Sequence, residues 1–93
     1  MEFEPLIQLL QKLSNTYSYM GNLREGINTC NYALDRFPEM DNGKKIGFLF
    51  NIGLYYNELK EYEKSLEYIN KVINLADSNT KVRLMRYHQD TSQ

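Results

Sequence analysis

The amino-acid sequence predicts an all-α fold of two antiparallel helix hairpins followed by a short C-terminal capping helix. Two observations lead to this prediction. The chain repeats its own apolar pattern once, and within each copy the apolar residues recur every three or four positions, as on one face of a helix. A chain of 93 residues with 42% apolar side chains can build one small core but not two, so residues 1–93 are predicted to form a single domain.

The repeat becomes visible when the sequence is aligned with itself at an offset of 39 residues. Ten pairs then keep apolar or small character in both copies: Ile7/Ile46, Leu10/Leu49, Leu13/Ile52, Tyr17/Tyr56, Leu23/Tyr62, Gly26/Ser65, Ile27/Leu66, Cys30/Ile69, Ala33/Val72 and Leu34/Ile73. We therefore divide the chain into a first repeat at 7–40, a connecting turn at 41–45, a second repeat at 46–79 and a C-terminal helix or tail at 80–93.

The first helix is expected over residues 5–20. Proline is well tolerated in the first turn of a helix, so Pro5 can stand near its start, and Gly21 readily supplies a left-handed C-cap at its end. Asn22 and Glu25 have the spacing of a capping box, in which an N-cap side chain and a carboxylate three residues later bond to each other's backbone. The second helix should therefore start directly after Asn22.

The second helix is expected over 23–36, because Pro38 restricts the residue before it and cannot donate a helical hydrogen bond. Residues 39–43 form the strongest turn cluster of the chain. A third helix is predicted to follow over 44–60, beginning near Lys44.

The fourth helix is expected over 62–76. The residues before Tyr62 contain neither glycine nor proline, so this break is inferred from the repeat and not from a local signal. The Asp-Ser-Asn segment at 77–79 offers both a helix stop and an N-cap for a short fifth helix.

Residues 46–79 carry a set of apolar, small and polar residues in a fixed order: Leu49, Asn51, Ile52, Gly53, Tyr56, Tyr62, Ser65, Leu66, Ile69, Val72, Ile73 and Leu75. This order resembles the tetratricopeptide repeat. Residues 7–40 resemble a second copy, through Leu10, Leu13, Ser14, Tyr17, Gly21, Gly26, Ile27, Cys30, Ala33, Leu34 and Pro38. The chain departs from the family pattern at Ser14, Lys60 and Asp77, where glycine, glycine and proline are usual.

The run Glu61-Tyr62-Glu63-Lys64-Ser65-Leu66-Glu67-Tyr68, in a chain with many asparagines and tyrosines, also resembles repeats of the peptide-pheromone-responsive transcription regulators of Gram-positive bacteria. The tetratricopeptide resemblance implies a protein- or peptide-recognition module. The narrower resemblance implies the peptide-sensing part of a bacterial regulator.

In the resembled family the first helix of each hairpin lines a concave groove that receives the partner. Carried onto this sequence, the groove is lined by Gln11, Asn15, Tyr19, Phe50, Asn51, Leu54 and Asn57. Side-chain amides both donate and accept hydrogen bonds, as binding a peptide main chain requires, although solvation explains asparagines on an exposed helix face equally well. Phe50 and Leu54 lie off the apolar stripe of their helix, which fits either a groove wall or contact with the neighbouring hairpin.

The last helix of the second repeat has no complete following repeat to cover it. Its apolar residues Leu66 and Ile73 need a cover, and the tail offers only Val82 and Met85, which share a face at i, i+3 spacing. Two alternatives follow: a homodimer through the fourth helix and the tail, or a monomer capped by the tail. The structural alternative to peptide recognition is therefore a self-association domain.

Charge and residue types argue against several other functions. The 11 basic and 12 acidic residues give a net charge of -1, which disfavours nucleic-acid binding, and no apolar run is long enough to span a membrane. We predict no catalytic site, metal site or cofactor, because Cys30 falls on a buried stripe and His88 lies in a polar tail. The acidic start lacks the basic region of a signal peptide, so a cytoplasmic location is expected.

Overall fold

The computed structural model describes the backbone of residues 4–91 and the side chains of residues 4–77. The described backbone contains four helices and no strand: α1 (Glu4–Tyr19), α2 (Leu23–Arg36), α3 (Asn42–Glu58) and α4 (Tyr62–Thr91). Consecutive helices pack against each other, α1 on α2, α2 on α3 and α3 on α4. The predicted all-α fold of two helix hairpins is therefore confirmed, and α2 has the predicted bounds.

The turn between α1 and α2 closes on Gly21, whose φ of 80° lies in the left-handed region. The Gly21 N–H donates to the Ser18 carbonyl at 2.9 Å, and the Asn22 N–H donates to the Tyr17 carbonyl at 2.8 Å, which is the Schellman pattern. The predicted capping box of Asn22 and Glu25 is wrong. Asn22 has a ψ of 70° instead of the extended backbone typical of an N-cap, and its side chain makes no capping hydrogen bond.

The turn between α3 and α4 repeats these two hydrogen bonds at the equivalent residues. The Lys60 N–H donates to the Asn57 carbonyl at 3.0 Å, and the Glu61 N–H donates to the Tyr56 carbonyl at 2.9 Å. Lys60 has a φ of 65°, so a lysine adopts the left-handed conformation that a glycine supplies in the first hairpin. The predicted break before Tyr62 is confirmed.

Helix α3 begins at Asn42, two residues before the predicted start at Lys44. Asp41 is its N-cap, because the Asp41 carboxylate accepts a hydrogen bond from the Lys44 N–H at 2.9 Å. This hydrogen bond favours a helix start at Asn42 despite the turn-like composition of residues 39–43, so Gly43 is part of the helix. Most of the predicted connecting turn at 41–45 therefore belongs to α3.

Helix α4 continues from Tyr62 to Thr91, so the predicted end near Ala76 is wrong. The Asp-Ser-Asn segment at 77–79 does not end the helix, because each of these residues lowers helix propensity by only roughly 0.5 kcal/mol and none breaks a helix as proline does. The predicted C-terminal helix is thus the second half of α4 and not a separate cap. Val82 and Met85 lie outside the residues whose side chains the structure describes.

The core lies where α1, α2 and α3 meet. Its buried apolar side chains come from these helices and from the α2–α3 connection: Ile7, Leu10, Ile27, Cys30, Ala33, Phe37, Met40, Phe48, Ile52 and Tyr55. On α3, two of the buried residues lie one position earlier than the repeat alignment predicts. Phe48 and Tyr55 are buried, whereas Leu49 and Tyr56 are half-buried. Helix α3 packs against both α2 and α4, so its buried face turns towards α2.

Each hairpin crosses closely at a glycine that faces a serine. In the first hairpin, a Cβ on Gly26 would lie 3.3 Å from the Ser14 carbonyl oxygen. In the second hairpin, a Cβ on Gly53 would lie 3.5 Å from the Ser65 carbonyl oxygen, and the Ser65 hydroxyl donates to the Gly53 carbonyl at 2.8 Å. Residues 14 and 53 are equivalent in the repeat, as are 26 and 65. The two hairpins therefore use the same glycine–serine pair with the two roles exchanged.

Candidate functional site

Helices α1 and α3 lie side by side and run in the same direction. Three contacts join them in the order of both helices: the Lys44 ammonium pairs with Glu4 at 3.2 Å, the Gln11 amide lies 3.8 Å from where a Cβ on Gly47 would be, and the Tyr55 hydroxyl donates to Asn15 at 3.3 Å. The first helices of the two hairpins therefore form one continuous surface. This surface is called the groove below, and the seven residues predicted to bind a partner lie on its two helices.

On α1, the predicted groove residues Gln11, Asn15 and Tyr19 follow one another at four-residue spacing and share one side of the helix. Gln11 is half-buried against α3, and Asn15 is exposed. Tyr19, at the last position of α1, is 91% exposed. The structure thus brings Gln11 and Asn15 to α3, whereas Tyr19 projects into solvent.

On α3, the predicted residues Phe50, Leu54 and Asn57 recur at i, i+4 and i+7 and share one face, with Asn51 beside them. Phe50 is 45% exposed and Leu54 is 41% exposed. Asn51 is half-buried and Asn57 is exposed. The α3 side of the groove therefore combines two accessible apolar side chains with two amides.

Tyr55 belongs to the same site, although the sequence pattern did not single it out. Its ring is buried against Gly26, and its hydroxyl donates to Asn15 at 3.3 Å and lies 3.5 Å from the Ser14 carbonyl oxygen. Burial raises the pKa of the Tyr55 hydroxyl, with the Ser14 contact opposing the shift, so the hydroxyl is a donor at neutral pH. The available signal was its position four residues after Asn51, which places it on the groove side of α3.

The hydrogen bond from Tyr55 engages the Oδ1 atom of Asn15 and holds its carboxamide against α3. The Nδ2 group of Asn15 is then the donor that this side chain offers to a ligand. All seven predicted groove residues are uncharged. The groove therefore presents hydrogen-bonding groups and apolar surface to a partner, and no fixed charge from these seven positions.

Helix α4 presents a second apolar surface at the far side of the second hairpin. Leu66 is 61% exposed, Ile73 is 48% exposed, and Tyr62 on the same face is 56% exposed. Of the four residues predicted for a capping or oligomer face, the structure describes the side chains of Leu66 and Ile73 and leaves Val82 and Met85 outside its described part.

The described side chains contain no group of three or more His, Cys, Asp or Glu residues arranged to hold a metal ion. Cys30 is fully buried, and burial raises the pKa of its thiol to about 11, while a hydrogen bond with Ser14 opposes the shift. A thiol with so high a pKa is a poor nucleophile at neutral pH. Within the described part of the chain, no helix combines the length and the apolar character needed to cross a bilayer.

A cleft of about 510 Å³ opens beside the connection between α2 and α3, lined by Glu4, Ile7 and residues 36–41. None of the seven predicted groove residues lines it. Three of its lining residues, Ile7, Phe37 and Met40, are members of the core cluster, so the cleft is the outer edge of the core at this turn.

Residues 46–79, which cover most of α3 and the first part of α4, match the family model described as the tetratricopeptide repeat. The chain matches none of the curated proteins and none of the solved structures with which it was compared. The α1–α2 hairpin carries the same turn hydrogen bonds and the same glycine–serine crossing at equivalent positions. Residues 46–79 are therefore a tetratricopeptide repeat, a unit of protein-interaction modules, and the first hairpin shares its turn and crossing geometry.

Proposed function

We propose that the groove between α1 and α3 binds an extended peptide segment of a partner protein. The observation that supports this proposal is the Asn15 carboxamide, held by Tyr55, on the helix next to the exposed Phe50 and Leu54. An extended peptide presents main-chain N–H and carbonyl groups together with side chains that alternate in direction, so a receptor needs both polar and apolar contacts. The groove offers both within one surface.

In this proposal the amides of Asn15 and Asn51 bind main-chain groups of the peptide, and Phe50 and Leu54 cover apolar side chains. The Tyr55 hydroxyl acts through Asn15, because it fixes the orientation of the carboxamide before the peptide arrives. Preorganisation of this kind lowers the entropy lost on binding. Gln11, Tyr19 and Asn57 extend the polar contacts along the groove.

Phage display of short unstructured peptides against the full chain, followed by calorimetry with the selected sequences, tests this proposal. We expect Asn15→Ala and Asn51→Ala each to weaken binding by about 1–3 kcal/mol, because each leaves a peptide group unpaired. Asn28→Ala is the matched control, since Asn28 is exposed on α2 outside the groove. We also expect Tyr55→Phe to weaken binding, because it removes only the hydroxyl that orients Asn15. Equal affinity for Asn15→Ala, Asn51→Ala and Asn28→Ala would contradict the proposal.

The more specific form of this proposal is that the domain is the peptide-sensing part of a bacterial regulator in the cytoplasm. It is supported by the resemblance of residues 61–68 and by the uncharged side chains at the seven predicted groove positions, which suit short apolar peptides. This form predicts that free short peptides compete fully with the same sequences displayed on a folded carrier. Binding only to the carrier-displayed form would favour recognition of a larger protein surface.

A second candidate function is self-association through the open face of α4. The observation that favours it is the exposure of Leu66 and Ile73, at 61% and 48%. Large apolar side chains exposed together on one helix face mark a candidate interaction site. Sedimentation of the full chain over a concentration series, with Leu66→Glu for comparison, is the direct measurement, and a homodimer is the simplest expected product.

A further inference from the structure

The chain contains one interface between consecutive hairpins, which α2 and α3 form. At its centre, Phe48 and Ile52 of α3 are fully buried, and Ile27 of α2 is 3% exposed. Leu23 and Leu34 of α2 pack against the same cluster. This interface shows which side chains the sequence uses on each side when one hairpin stacks on the next.

Helix α1 has apolar residues at the positions equivalent to those that α3 uses in this interface, and they are exposed in the described structure. Leu9 and Leu13 are the repeat equivalents of Phe48 and Ile52, 39 positions earlier, yet they are 61% and 41% exposed. Leu6, at 40% exposure, extends the same stripe by one turn. These three leucines, called the α1 face, lie where α2 would cover them if another hairpin came before.

Helix α4 has apolar residues at the positions equivalent to those that α2 uses in this interface, and they are also exposed. Three apolar residues of α4 stand at the positions of the interface residues of α2: Tyr62 for Leu23, Leu66 for Ile27, and Ile73 for Leu34. They are 56%, 61% and 48% exposed. We call Tyr62, Leu66 and Ile73 the α4 face. The molecule thus exposes both halves of an interface that it already forms once internally.

We propose that copies of this chain stack head to tail, with the α4 face of one copy on the α1 face of the next. The proposal rests on the self-association suggested above and specifies its geometry and its partner, a second copy of this chain. The internal α2–α3 interface supports that choice, because equivalent residues on both sides already pack together within one molecule. Stacking would continue the established interface from one molecule into another.

The charges next to the interface are compatible with this arrangement. Inside the molecule, Arg24 at the start of α2 pairs with Glu61 in the turn between α3 and α4. In the stacked copies, the equivalent positions hold Glu63 on one chain and Asn22 on the other. No like charges meet at this point. The intermolecular contact also lacks the internal ion pair, so it is expected to be weaker than its internal counterpart.

Head-to-tail contact has a consequence that a symmetric dimer does not share. The two faces differ, so each added copy leaves one α1 face and one α4 face free, and the assembly grows with concentration. A symmetric contact of α4 on α4 would stop at two copies. Size as a function of concentration, combined with variants that block one face at a time, separates the two arrangements.

Sedimentation velocity with the full chain provides the test. Leu9→Glu blocks the α1 face and Leu66→Glu blocks the α4 face, each at a residue that is 61% exposed, so the fold should tolerate both. Tyr32→Glu is the control, because Tyr32 is 54% exposed on α2 and belongs to neither face. Circular dichroism checks the helical content of every variant. If Leu9→Glu loses helical content, Leu13→Glu on the same face replaces it. If Leu66→Glu loses helical content, Ile73→Glu replaces it.

We expect the wild type and Tyr32→Glu to form species that grow with concentration, and each blocked variant alone to be monomeric. An equimolar mixture of the two blocked variants should form a dimer and nothing larger, because each contributes the one face that the other lacks. If either blocked variant dimerises alone, the contact is symmetric. This result would support self-association and contradict the head-to-tail geometry. A wild type that stays monomeric at every concentration overturns both.

Discussion

Lys60 ends α3 with a backbone conformation that is unfavourable for lysine. At its φ of 65° the Cβ crowds the following carbonyl, which costs roughly 1–2 kcal/mol for residues other than glycine. Gly21 occupies the equivalent position in the first hairpin, and the two turns share the same pair of hydrogen bonds. The side chain at this position therefore differs between two turns that have the same backbone hydrogen bonds.

We expect Lys60→Gly to raise the free energy of unfolding by about 0.5–1 kcal/mol, because relief of the crowding exceeds the extra freedom that glycine gives the unfolded chain. Urea denaturation followed by circular dichroism measures this. Gly21→Ala is the opposite control: no atom lies within 4 Å of the Cβ it would add, so its expected loss of about 1 kcal/mol comes from the backbone alone. A denaturation midpoint for Lys60→Gly at or below that of the wild type would contradict this account.

Residue types alone could suggest Asn15 but not Tyr55. Asn15 has a polar side chain on an exposed helix face, so the family groove and the chemistry of amides point to it directly. Tyr55 has a ring that belongs to the core and a hydroxyl that belongs to the groove. A sequence pattern that classifies each residue as either apolar or polar assigns Tyr55 to the core or to the groove, but not to both. The repeat alignment used the adjacent Tyr56 and so did not single out Tyr55.

At the scale of elements, the crossing of α1 and α2 leaves little room for a larger side chain. A Cβ on Gly26 would lie 3.1 Å from the Tyr55 ring and 3.3 Å from a backbone oxygen of α1. We expect Gly26→Leu to lower the free energy of unfolding by about 1–3 kcal/mol, as overpacking usually does. Urea denaturation of the full chain measures the change.

Gly47→Ala on α3 serves as the matched control for that substitution. The nearest atom to the Cβ it adds is 3.8 Å away, an ordinary contact distance, and alanine favours the helix by roughly 0.8–1 kcal/mol over glycine. This variant should therefore be at least as stable as the wild type. If Gly26→Leu and Gly47→Ala had equal midpoints, the close approach at Gly26 would not limit packing.

The helix boundaries show which local signals outweigh others. Helix α2 matches its prediction because Gly21 and Pro38 each impose a backbone constraint that no tertiary contact reverses. The start of α3 shifts because Asp41 supplies an actual cap hydrogen bond, which composition alone does not reveal. The end of α4 is missed because residues 77–79 only weaken a helix, and a weak preference yields to the continuation of the helix on either side.

The whole molecule is elongated because α4 extends well beyond the helices it packs with. At 30 residues, α4 is about 45 Å long, and the principal dimensions of the protein are 55 × 35 × 19 Å. The radius of gyration is 15.6 Å, whereas a compact domain of this length has about 12 Å. A continuous α4 and a tail folded back as a cap therefore give different sizes in solution.

Small-angle X-ray scattering of the dilute chain should give a radius of gyration near 15.6 Å. A tail that folds back over α4 would bring this value close to that of a compact domain, about 12 Å. Leu66→Glu is the appropriate sample to compare, because it removes the α4 face and with it any increase in size from association. A compact value for both proteins would favour the capped monomer over the continuous helix.

We expect the exchange of serine and glycine between the two crossings to make helix pairing selective while the chain folds. Ser14 on α1 matches Gly26 on α2, and Gly53 on α3 matches Ser65 on α4. A hairpin mispaired from α1 and α4 would set two serines against each other, and one mispaired from α3 and α2 would set two glycines against each other. We expect both mistakes to be disfavoured, so two similar halves of one chain can each find the correct partner helix.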